Sequence, residues 1–170
     1  MPETATKPVY LVDAHSDPVI VRIAGRACFQ NSACLREFVT EMLRQGKTRF
    51  VLDFQQCTSM DSTFLGVLAG VALELKKRPG GGSLVLARMG TRNLELVRNL
   101  GLHRLLTIDA GDKPLNFEAC QTPLPCPEQP EIDRARLVLE AHENLVTADE
   151  SNRSKFQDVL AFLKNRVSQT

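Results

Sequence analysis

The chain lacks tryptophan, has one tyrosine, and its five cysteines include no Cys-x-x-Cys pair. Cys28, Cys34, Cys57, Cys120 and Cys126 are scattered, as are His15, His103 and His142. Zinc sites draw on tighter ligand pairs, so no metal is expected and the thiols are expected to be reduced, in a core or a loop. Charge of one sign is also missing: 21 basic residues face 20 acidic ones. Without a basic face, direct nucleic-acid binding is not expected. No long hydrophobic run occurs either. The longest, from Phe64 to Leu75, contains Glu74 and falls short of the roughly 20 residues that cross a bilayer. The start, "MPETATKPVY", has no basic segment followed by an apolar one. A cytoplasmic protein with no membrane partner is expected. Gly-x-Ser-x-Gly and His-Glu-x-x-His are absent, and "RPGGGS" lacks the Lys-Ser/Thr helix start of a phosphate loop. Neither an enzyme nor a cofactor is expected.

What is present is a core. Hydrophobic residues make up 43% of 170 positions and charged ones 24%, a balance that suits a folded domain. Val9–Val12 and Val19–Ile23 flank the turn-forming "DAHSDP" and read as a hairpin, with Gly25 ending its second strand. Phe29, Ala33, Leu35, Phe38, Val39, Met42 and Leu43 keep helical spacing, with Asn31 or Ser32 as cap and Gly46 as stop. "RFVLDF" reads as a buried strand. Leu65, Leu68, Ala69, Ala72 and Leu75 make a helix stripe that Val67 and Val71 widen. "SLVLA" is another strand, Thr91–Leu100 a third helix, and Leu105–Ile108 a last strand. This alternation predicts an α/β fold: a mixed β-sheet with helices packed on it.

Composition changes at Gly111. Residues 1–111 read as the domain and the proline-dense 112–130 as a linker or surface strap. Residues 131–170 read as a helical hairpin with a Thr147–Glu150 capping box between its helices. Such a hairpin cannot bury both of its apolar stripes on itself, so it must dock on the domain or on a partner.

At the seam between strand and second helix stands "SMDSTFLG". On spacing alone, Asp61 or Ser62 caps a helix. With its flanks, "VLDFQQCTSMDSTFLGVLAG" resembles the central motif of STAS domains of the bacterial anti-sigma factor antagonist type, over roughly Val9 to Ile108. "NLELVRNLGLHRLLTI" resembles the segment before their last strand. The resemblance implies that Ser62 accepts phosphate from a partner that is both anti-sigma factor and serine kinase. It implies that the unphosphorylated protein binds this partner and the phosphorylated one releases it. Asp61, Thr63, Leu65 and Gly66 match the motif, whereas Phe64 replaces its usual glycine. The expected contact surface is Asp61, Thr63, Phe64, Leu65 and Gly66, with Phe29, Gln30, Asn31 and Ser32 at the start of the first helix. A homodimer stays open, as does a different reading, in which the hairpin makes a scaffold or oligomerisation domain and Ser62 is only a cap.

Overall fold

The structure is a computed structural model that describes residues 8–109 and 116–169. Residues 112–115 of the expected linker lie outside the described residues. Six strands form one sheet in the order β5-β4-β3-β2-β1-β6. The hairpin is formed by β1 (Tyr10–Asp13) and β2 (Val19–Ala27), paired antiparallel with Tyr10 opposite Ile23. Helical crossovers then bring in β3 (Arg49–Met60), β4 (Ser83–Ala87) and β5 (Thr107–Asp109), each parallel to its predecessor. The crossovers are α1 (Ser32–Arg44), α2 (Ser62–Lys77) and α3 (Thr91–Asn99).

Two strands exceed their expected limits. Gly25 does not end β2: it adopts φ 93° inside the strand, and the pairing with β3 shifts register around it. A glycine takes that conformation without the Cβ penalty of other residues. β3 continues through the polar "QQCTS" to Met60, because Gln56, Cys57, Ser59 and Met60 still pair with β2. Cys57 therefore lies in a strand, and burial pushes its thiol up to about 11.

Side chains alternate between the faces of the sheet. Val19, Val21 and Ile23 of β2, with Phe50, Leu52 and Phe54 of β3, point into the main core under α1, α2 and α3. On the other face, Arg88 closes both arms of its guanidinium on buried Asp53, at 2.9 and 2.6 Å. Phe117 packs there against Val51, Val85 and Ala87, and the Arg88 guanidinium stands 4.4 Å from its ring centroid.

The proline-dense segment forms a short edge strand, β6 (Thr122–Pro123), against β1. It also carries a correction. Cys34 of α1 and Cys126 form a disulfide with Cα atoms 5.1 Å apart, where reduced thiols were expected. Cys28, Cys57 and Cys120 are free and buried.

Beyond the strap come α4 (Glu131–Ala148), the short α5 (Asn152–Lys155) and α6 (Gln157–Ser168). α4 lies along α2, and Leu145 joins the main core. The Thr147–Glu150 capping box does not form. Thr147 stays in α4 and bonds back to the Glu143 carbonyl, while Asp149 accepts from the backbone and hydroxyl of Ser151.

Candidate functional site

Asp61 is the N-cap of α2, in an extended conformation (φ −110°, ψ 175°). One carboxylate oxygen accepts from the Phe64 amide at 2.9 Å, as a helix cap does. The other accepts from the Phe29 amide at 2.8 Å. One side chain thus ties the start of α2 to the turn before α1, which brings the two expected contact segments together.

Ser62 is the first residue of α2 and half-buried. Its Oγ lies 2.8 Å from Nε2 of His142 on α4. His142 Nδ1 lies 2.7 Å from the Val138 carbonyl one turn earlier. A carbonyl only accepts, so Nδ1 carries a proton; in the neutral ring Nε2 then accepts and the Ser62 hydroxyl is the donor. The ring is only 4% exposed and meets Phe156 edge-on at a centroid distance of 4.9 Å. Beside Ser62 opens a cavity of about 410 Å³ walled by Met60, Leu65, Leu100 and Phe156, with Lys155 also in its lining.

α4 reaches this position through two glycines. A Cβ on Gly66 would collide with the Ala141 carbonyl, and one on Gly70 would meet the Asn144 side chain. Asn144 uses the closeness to donate to the Gly66 carbonyl at 3.2 Å. Val67, on the outer side of α2, clusters with Ala33, Leu137 and Ala141. Asn152, fully buried, donates to the Leu100 and Leu145 carbonyls and pins the turn after α4 to α3.

This packing revises the expected contact surface. Thr63, Phe64 and Leu65 are 3%, 0% and 1% exposed, and Gly66 is buried beneath α4. Phe64 stands edge-on to Phe54 in the core. Ser32 is fully buried, its hydroxyl donating to the Cys28 carbonyl. These five residues present no side chain to a partner. Phe29 and Gln30 are exposed, and Asn31, Asp61 and Ser62 are half-buried. Asn31 makes no side-chain cap bond to α1. Its side-chain oxygen Oδ1 accepts from the Tyr10 hydroxyl and the Cys28 amide instead. Tyr10 titrates well above the usual tyrosine range, chiefly because it is buried.

Residues 10–107 match the family described as "Mlab, STAS domain", which is more than half of the chain. The chain belongs to the STAS domain family. Its STAS domain has the fold of the anti-sigma factor antagonist SpoIIAA: the unphosphorylated form superposes with a TM-score of 0.50 at 19% identity, over 61% of this chain and 90% of SpoIIAA. The phosphorylated form, from Bacillus, gives 0.49 at 18% identity, over 59% and 91%. A putative antagonist from Thermotoga maritima gives 0.49 at 20% identity, over 61% and 86%. Among curated proteins none matches the chain in sequence.

Beyond the matched STAS segment lie α4, α5 and α6, and with them His142, Asn144, Lys155 and Phe156. In the sequence His142 is one of three scattered histidines, and nothing local connects it with Ser62. The available signal was α2, apolar nearly all round and therefore in need of a second covering layer. Among the described residues, no group of three or more His, Cys, Asp or Glu could hold a metal. No described helix is long and apolar enough to cross a membrane.

Proposed function

We propose that this STAS protein is a cytoplasmic, phosphorylation-regulated binding module of the antagonist type, without catalytic activity of its own. It binds an anti-sigma factor with serine-kinase activity while Ser62 is unmodified and releases it when Ser62 carries phosphate. The observation that supports this best is the place of Ser62, half-exposed in the first turn of α2, in a chain with the SpoIIAA fold. The partner reads the edge formed by Phe29, Gln30, Asn31, Asp61 and Ser62. A phosphate of roughly −1.5 to −2 charge at that edge faces desolvation on docking. A penalty of about 2.8 kcal/mol weakens a complex roughly a hundredfold.

The test is affinity capture from the source cell with wild type and Ser62→Asp as paired baits. An ATP-binding kinase recovered by wild type and lost with the variant is the expected result. Equal recovery by both baits would mean that Ser62 serves only as part of the helix start.

A second reading is a homo-oligomer assembled through the C-terminal helices. It is favoured by α6, which leaves Phe162 69% and Val159 41% exposed.

A further inference from the structure

In its unmodified state the Ser62 hydroxyl donates a hydrogen bond to Nε2 of a neutral, buried histidine on another helix. That contact has a consequence for phosphorylation. When Oγ attacks the γ-phosphorus of a nucleoside triphosphate held by a kinase, the Oγ–P bond forms and the bond to the diphosphate breaks. The hydroxyl proton must leave, and its existing acceptor is His142. The imidazole then carries a proton on both nitrogens, one still donated to the Val138 carbonyl, the other facing the new phosphate.

We infer that phosphoserine 62 and His142 form an intramolecular ion pair that latches α4 onto the start of α2. The inference rests on the reading of Ser62 as the phosphoacceptor and adds what the phosphate does inside the chain.

The surroundings favour this pairing. The cavity of about 410 Å³ beside Ser62 has room for a phosphoryl group; His142 does not line it and meets Ser62 at Oγ itself. The charged groups in its lining are Asp61 and Lys155, while α3 and the residue that caps it contribute only Leu96, Asn99 and Leu100. The Asp61 carboxylate is engaged by two backbone amides, those of Phe64 and Phe29. Lys155, which donates to the Asn99 carbonyl, adds a second cation at the rim. A charge-assisted hydrogen bond of this kind is about twice as strong as the neutral one it replaces. Phosphorylation then has two effects of opposite sign. It repels a docked partner and tightens the chain's own C-terminal helix.

Phosphoserine placed at position 62 during synthesis, by suppression of a reassigned codon, tests this without any kinase. The full chain is compared with and without the phosphate in wild type, His142→Gln and Lys155→Ala. Comparing phosphorylated with unphosphorylated protein inside each variant cancels the cost of the substitution itself.

In wild type the phosphate is expected to raise Tm by about 2–4 °C, the scale of one good contact in a chain of this length. Its second ionisation, followed by ³¹P NMR, should lie about one unit lower than in His142→Gln, a tenfold difference in proton affinity. Lys155→Ala should keep most of both effects. A fall of Tm in wild type, or equal ³¹P midpoints in wild type and His142→Gln, overturns the latch. Because no kinase enters this experiment, its failure leaves the partner-binding reading intact. Failure of the capture experiment would remove the phosphoacceptor reading on which the latch rests, while the pairing of an installed phosphate with His142 would still be measured here.

Discussion

At the residue scale, Gly66 is where the usual preferences reverse. Inside a helix, alanine is favoured over glycine by about 1 kcal/mol. Here the added methyl would push into the Ala141 backbone, which cannot swing aside as a flexible side chain would. Gly66→Ala is therefore expected to destabilise the protein by about 1–3 kcal/mol, the range for overpacking a close contact. The check is chemical denaturation of both proteins. A variant more stable than wild type would mean that α4 does not lie against α2. Residues also differ in how much of their role the sequence carries. Asp61 as a cap was legible, since an Asp-Ser-Thr cluster before an apolar run has few other uses. Its second bond, to the Phe29 amide 32 positions away, has no local signature. Phe64, in place of the motif's glycine, invited a reading as a contact residue, and burial against Phe54 explains it instead.

At the scale of elements, period-2 and period-3.6 patterns located β1, β4 and the longer helices, and missed the short α5 and the far half of β3. "QQCTS" is polar because Gln55, Gln56 and Thr58 point to solvent, while the backbone goes on pairing with β2. The C-terminal helices were legible as helices, yet their attachments were not. The disulfide joins residues 92 apart, and five cysteines with no distinctive spacing suggest no pairing. It ties the strap to α1 just before α4 begins. The last helix is held from the other side, where Arg166 of α6 pairs with Glu131 of α4 at 2.5 Å. The Arg166 hydrogen bond and charge hold the Glu131 carboxyl below its ordinary value of 4.5. The sign follows from linkage. A carboxyl depressed in the folded state contributes stability above its unfolded pKa, and that contribution is lost as pH falls through the folded value. The end of α6 is accordingly expected to loosen as pH falls below about 4.5, with faster amide exchange in Asn165–Gln169. Glu131→Gln should show that faster exchange already at neutral pH and little further change on acidification. Identical pH profiles for the two proteins would remove the pair from the account.

At the scale of the whole molecule, α4 divides the surface into two regions. It covers the outer side of α2, so on the proposed reading a partner that recognises Ser62 approaches past Phe29 and Gln30 and cannot run along the second helix. α6 displays Phe162 on the added layer. The Phe29 ring is held from one side by the Arg134 guanidinium, 5.7 Å from its centroid, which leaves it partly presented to solvent. Buried aromatics dominate binding energy at interfaces, and truncating such an anchor costs at least about 2 kcal/mol. Phe29→Asp is therefore expected to lower affinity for the captured partner more than about thirtyfold, with Tm close to wild type because the side chain is exposed. Phe162→Asp should leave that affinity unchanged. Sedimentation of both variants addresses the competing assembly. A dimeric wild type that becomes monomeric with Phe162→Asp, with partner capture insensitive to Phe29→Asp, would move the protein's binding surface from the STAS domain to its C-terminal layer. The reverse pattern keeps binding at the Ser62 edge and leaves α6 as covering for α4.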